Sequence, residues 1–228
     1  MPSMPPAPPI RGVVFDFHHT LAHAGDPEVW VREAWTNLGR EGDPQTALGD
    51  DYGSALAFLD QLWEEARVID PDNERDHGPE KHREVFDQLI AAAPGIDLEL
   101  ADALYQIMHR QWDVYDDVIP VLTALRDKGV RVAMLSNVGF DLSPTLARTG
   151  VDELLDGVVM SYAVGAVKPE PAIFQNALDT LGLPASEVLM VGDAWQDDAA
   201  AAALGMRTLI LPRTDDPSHG LELVVRLV

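Results

Sequence analysis

The chain contains no cysteine, which excludes disulfides, thiolate-bound metals and a thiol nucleophile. Basic residues are scarce: 16 Lys and Arg stand against 38 Asp and Glu, for a formal net charge of -22. Such a charge repels nucleic-acid phosphates and anionic membrane headgroups, so neither is an expected partner. No apolar run is long enough to span a bilayer. The opening MPSMPPAPPI has neither the basic cluster nor the apolar stretch of a secretory signal. The expectation is a cytoplasmic protein whose residues 1–10 form a disordered, proline-rich lead. At 228 residues the chain can bury the core of one domain, or of a domain carrying an insert.

What is present falls into two kinds of segment. Short β-branched or apolar runs at 13–17, 130–135, 158–160, 188–191 and 207–211 are bounded by Gly, Pro or polar residues, as buried parallel strands are. Between them lie helical patterns at 119–129, 143–150, 171–182 and 198–205, each closing on a Gly. This alternation predicts an α/β fold with a Rossmann-like, doubly wound parallel sheet built from residues 11–23 and 116–228. Residues 24–115 interrupt it. They show no strand and read as four helices, at 27–40, 52–69, 79–93 and 98–112, forming an inserted helical domain. Asp26-Pro27 and Gly78-Pro79 mark helix starts. Trp30, Trp35, Phe58, Trp63, Phe86 and Trp112 supply apolar anchors for a small bundle.

Ligands of open parallel sheets bind beyond the carboxyl ends of the strands. Asp16 and Thr20 follow the first strand, Ser136 and Asn137 follow VAMLSN, Lys168-Pro169 precedes a helix, and Asp193, Asp197 and Asp198 follow VLMVG. Each has a plainer explanation alone: a strand-end Asp often caps a helix, and most lysines are solvated. Together they are four carboxylates on one edge, which a hard divalent cation such as Mg²⁺ would reconcile. Lys168, Ser136 and Asn137 remain to hold an anionic group.

Four pieces in order carry a family resemblance: FDFHHT (15–20), MLSN (134–137), VKPEPAIFQNAL (167–178) and VGDAWQDD (191–198). With them the chain resembles the haloacid dehalogenase-like superfamily, mostly phosphatases, over nearly all its length after the lead. The resemblance implies a Rossmann-like core with a helical cap inserted after the first motif. It implies that Asp16 is a nucleophile forming an aspartyl-phosphate on a small phosphorylated substrate. Ser136 and Lys168 would hold the phosphoryl oxygens. Asp16, the backbone carbonyl of His18 and Asp193 would bind Mg²⁺, supported by Asp197 or Asp198.

One position departs from that pattern. The family's phosphatases carry a second Asp two residues after the nucleophile, as general acid and base, and here that residue is His18. Three readings remain open. His18 takes over the proton transfers; or the protein binds a phosphorylated ligand with little turnover; or it is a 2-haloacid dehalogenase-like hydrolase, since those relatives also lack the second Asp. A metal-binding Asp193 speaks against the last, because a cation would mask a carboxylate that has to attack a neutral carbon. His19 and His23 read as polar residues at the crossing into the insert, where they could meet substrate.

Overall fold

The computed structural model describes residues 7–228; the first six residues of the expected disordered lead lie outside them. The rest of that lead is held. Ile10 is buried, and the Pro8 carbonyl accepts a hydrogen bond from the Arg207 guanidinium. The first strand begins two residues later, and burying its apolar neighbour draws the chain in.

The chain divides into two compact units. One runs to His23 and includes Val114–Asn137 and Leu146–Val228; the other comprises Ala24–Asp113 and Val138–Thr145.

The first unit is built on five parallel strands: β1 (Gly12–Phe15), β4 (Arg131–Ser136), β5 (Gly157–Met160), β6 (Val188–Gly192) and β7 (Arg207–Ile210), in the spatial order β5-β4-β1-β6-β7. This is the doubly wound α/β sheet that the alternation predicts. β1 and β6 are buried at every position, which is why they read as continuous apolar runs rather than alternating ones. Helix Pro171–Leu181 turns Ile173, Phe174, Ala177, Leu178 and Leu181 into a core shared with Val14, Ala133, Leu135 and Met190.

Strand order reverses at β1. From it the chain goes through β4 to β5 on one side, and through β6 to β7 on the other. The carboxyl ends of β1, β4 and β6 are therefore adjacent, at the crevice where such sheets bind ligands. β1 stops two residues before the end of its apolar run. Past Asp16 the chain turns sharply, and the Phe17 carbonyl accepts the N–H groups of Thr20, Leu21 and Ala22. His19 takes the left-handed conformation in this turn, with φ 60°.

The second unit is helical. Its helices are Pro27–Asn37, Pro44–Leu48, Asp51–Asp60, Leu62–Ile69, Pro79–Ile90 and Leu98–Ile107. Trp30, Trp35 and Phe86 are buried in its core, and Phe58 and Trp63 pack against it. Asp26 and Asp43 each cap the helix opened by the proline that follows, accepting from Glu28 N and Gln45 N. The second of these helices repeats the Asp-Pro signature of the first but is absent from the four-helix reading. The predicted helix over 52–69 is broken at Gln61, whose φ and ψ of -97° and 2° leave the helical region. The expectation of no strand in the insert is also corrected. β2 (Ala22–Ala24) and β3 (Trp112–Val114) form a two-stranded ribbon, at the points where the chain passes between units.

The segment Val138–Thr145, which the sequence reading placed in the sheet domain, belongs to the helical unit. Gly139 lies so close to the Arg75 carbonyl and His82 that a Cβ there would come within 2.6 Å of His82 Cβ. The Phe140 ring meets His82 edge-on at 5.0 Å, and Thr145 Oγ1 donates to the His109 carbonyl at 2.5 Å.

Candidate active site

Three strands and one loop of the sheet unit deliver the polar residues. Asp16 follows β1 directly, its backbone N–H donating to the Val191 carbonyl of β6 at 2.8 Å, so the main chain itself fixes where the carboxylate starts. Ser136 closes β4 and is fully buried. Its Oγ lies 3.3 Å from His18 Nδ1, so the residue that departs from the family pattern reaches the serine read as an oxygen-binding group. Asn137 has both ends of its amide engaged on one backbone: Oδ1 accepts from Lys168 N at 2.7 Å and Nδ2 donates to the Lys168 carbonyl at 3.0 Å. That pair sets the position of a lysine 31 residues away.

Lys168 is 3% exposed. Its ammonium donates to Asp16 Oδ1 at 2.6 Å and to Asp198 Oδ1 at 2.7 Å. Burial alone would discharge it, but the Asp16 and Asp198 carboxylates outweigh burial and hold its pKa above the ordinary lysine value. Asp198 lies in the helical turn Trp195–Asp198, fully buried, and its Oδ2 accepts from Ala194 N at 3.0 Å. Gly192 makes room for it: a Cβ at 192 would fall 2.8 Å from Asp198 Cβ and closer still to its carboxyl group.

Asp16, Asp193 and Asp198 each offer a carboxylate oxygen, and these oxygens lie within 4.8 Å of one another. Asp197, one residue and about 100° of helix away from Asp198, is not in that group. Burial pushes the Asp16 carboxyl up to about 7; Lys168 opposes the rise, and Asp198 and Asp193 add to it. Burial disfavours the charged form of Asp16, and an oxygen-seeking divalent cation beside the three carboxylates would favour it. The donor set fits such an ion: carboxylates only, on the crevice edge of the sheet. Thr20 Oγ1 is fully buried with no hydrogen-bond partner among the described residues, an orphaned polar atom four positions after Asp16.

A family model described as haloacid dehalogenase-like hydrolase matches residues 10–205. The chain belongs to that family. Within it, the chain is 27% identical to a zebrafish (Danio rerio) haloacid dehalogenase-like hydrolase domain-containing protein 3, covering 94% of this chain and 90% of the relative. It is 26% identical to a glyceraldehyde 3-phosphate phosphatase of Methanopyrus kandleri, over 94% and 93% of the two chains. Among solved structures, an L-2-haloacid dehalogenase matches with a TM-score of 0.67 at 21% identity, covering 96% of this chain and 98% of the other. That likeness shows the fold.

The C-terminal segment brings in one residue that the four motifs do not contain. Arg213 Nε donates to Asp193 Oδ2 at 2.6 Å. The segment is anchored through Asp117, whose carboxylate accepts the N–H groups of His219, Gly220 and Leu221 at 3.0, 2.8 and 2.7 Å. The only sequence signal was an arginine shortly after the strand predicted at 207–211.

Proposed function

We propose that the chain is a divalent-cation-dependent phosphomonoester hydrolase acting on a small phosphorylated metabolite, with Asp16 as nucleophile. The observation that carries this reading is the convergence of the Asp16, Asp193 and Asp198 carboxylates, with Lys168 bonded to the first and the last. A phosphate dianion is repelled by an attacking carboxylate, so the site needs positive charge beside it. Attack on the neutral carbon of a haloacid needs no divalent cation bound at the attacking carboxylate. Several curated relatives carry phosphatase names, including the Methanopyrus enzyme above.

Asp16, Asp193 and the backbone carbonyl of His18 would hold the cation, with Asp198 supporting it. Bound there, it would supply charge neutralisation and orient a phosphoryl oxygen. Asp197, read from sequence as the alternative support, is left outside the carboxylate group. Lys168 and Ser136 would hold phosphoryl oxygens. Asn137 acts as a positioning residue through the Lys168 backbone, and Thr20 and His19 would meet the substrate.

A carboxylate oxygen of Asp16 attacks phosphorus and the ester P–O bond breaks. The leaving oxygen takes a proton from His18, giving an alcohol and an aspartyl-phosphate. Water then attacks phosphorus, His18 accepts its proton, and phosphate leaves with Asp16 restored.

Purified protein assayed with and without Mg²⁺ against phosphate monoesters and 2-haloacids tests the reading. Phosphate release that needs the cation supports it. Halide release without added metal, and no phosphate release, overturns it in favour of a dehalogenase. Tight binding of phosphate esters without turnover overturns it in favour of a ligand-binding protein.

A further inference from the structure

Every carboxylate of the proposed cation site already has a cationic partner in the chain. Lys168 serves Asp16 and Asp198, and Arg213 serves Asp193. Three carboxylates against these two cations leave one net negative charge before any metal enters.

The Arg213–Asp193 pair is unlike an ordinary surface ion pair, which contributes little. The Asp193 side chain is 4% exposed, so its carboxylate is cut off from the water that would otherwise screen it. The arginine is also delivered rather than draped. Its backbone is fixed just before it by Leu211 N–H donating to the Gly192 carbonyl at 2.9 Å. Just after it, the Thr214 carbonyl accepts from the Tyr115 hydroxyl at 3.2 Å. Further on, Asp116 N–H donates to the Pro217 carbonyl at 2.8 Å, and Asp117 clamps residues 219–221. A segment pinned at this many points places a guanidinium on one carboxylate and holds it there.

We infer that Arg213 is a built-in competitor for the divalent cation at Asp193, so that the C-terminal segment sets the affinity of the metal site. The inference rests on the reading that the cation binds through Asp193. Arg213 occupies Asp193 Oδ2 and adds a fixed positive charge beside the position a cation would take; both weaken cation binding. The coupling is reciprocal, so a bound cation loosens the hold of Arg213 on Asp193 to the same degree.

Calorimetric titration of the metal-free protein with MgCl₂ provides the test, on wild type and on Arg213→Ala, Arg213→Gln, Arg213→Lys, Arg11→Ala and Asp193→Asn, with thermal unfolding to confirm that each is folded. Arg213→Ala and Arg213→Gln should bind Mg²⁺ more tightly, within the roughly 5–150-fold range of such couplings. Arg213→Lys should stay near wild type because it keeps the charge. Arg11→Ala, which removes an exposed arginine paired with Glu187, should leave affinity unchanged. If Asp193→Asn loses Mg²⁺ while Arg213→Ala binds as wild type or more weakly, the competition is refuted and the metal site stands. If Arg11→Ala tightens binding as much as Arg213→Ala, the effect is bulk charge and the inference fails. If Asp193→Asn binds as wild type, or neither wild type nor Arg213→Ala takes up Mg²⁺, the underlying site falls and the inference with it.

Discussion

His18 Nδ1 and Ser136 Oγ lie 3.3 Å apart, joining the turn after β1 to the end of β4. The residue that replaces the family's acid–base aspartate is thus held against a group that would bind a phosphoryl oxygen, within reach of a leaving group on the same phosphorus. A positioned acid is worth roughly 10²–10⁴-fold in rate. His18→Ala should lose turnover on that scale while its calorimetric Mg²⁺ affinity stays near wild type, because the imidazole is not a proposed ligand. Equal turnover by the two proteins would remove His18 from the chemistry. A silent wild type beside an active His18→Asp variant would make the histidine a disabling substitution.

Lys168 stands between two buried carboxylates. Removing one partner of a buried ion pair typically costs roughly 3–5 kcal/mol, because the remaining charge is stranded. Lys168→Met should therefore destabilise the sheet unit strongly in urea unfolding, as well as abolish turnover. Adding Asp198→Asn to Lys168→Met should recover part of the stability and none of the activity. A single variant as stable as wild type would contradict the pairing described.

Gly192 is required for space rather than for backbone freedom. Gly192→Ala would drive a methyl group into Asp198, moving the carboxylate off Lys168. Turnover should fall sharply and the melting temperature should drop. A fully active Gly192→Ala protein would show that the Asp198 carboxylate has no needed position.

In the helical unit, His82 is 3% exposed, meets the tilted rings of Trp63 and Tyr105 and the edge-on ring of Phe140, and lies 3.2 Å from the Tyr105 hydroxyl through Nδ1. Burial, with Arg75 adding to it, pushes its pKa down to about 3. The folded state thus disfavours the proton that the unfolded chain takes up near 6.5. His82 contributes stability above that value and loses it as pH falls from about 6.5 toward 3, by up to a few kcal/mol. Urea unfolding of wild type and His82→Phe at several pH values checks this. The stability of wild type relative to the variant should decline on acidification, and a pH-independent difference would contradict it.

The strands and the strand-end residues were legible because each is a local pattern: an apolar run, then a polar group at its carboxyl end. The cluster's Asp16, Lys168 and Asp193 came from that rule together with the four motifs. The choice between Asp197 and Asp198 was not legible, since both sit in the same acidic opening. Which one turns inward is decided by helical phase and by the gap at Gly192, and both are properties of packing. Arg213 was invisible for a different reason. It meets Asp193 across 20 residues of chain, through a loop held by Asp117 and Tyr115 from a third stretch of sequence. The assignment of Val138–Thr145 to the helical unit also depends on a long-range contact, with Gly139 against Arg75 and His82. The break at Gln61 left no proline or glycine to announce it.

Covalent capture at Asp16 is the most direct test of the central claim. A single turnover with a phosphate ester that the protein cleaves, quenched in acid and digested, should yield one phosphoryl group on the peptide containing Asp16, and Asp16→Asn should yield none. Efficient turnover by Asp16→Asn, or a phosphoryl group found on another side chain, would contradict the account.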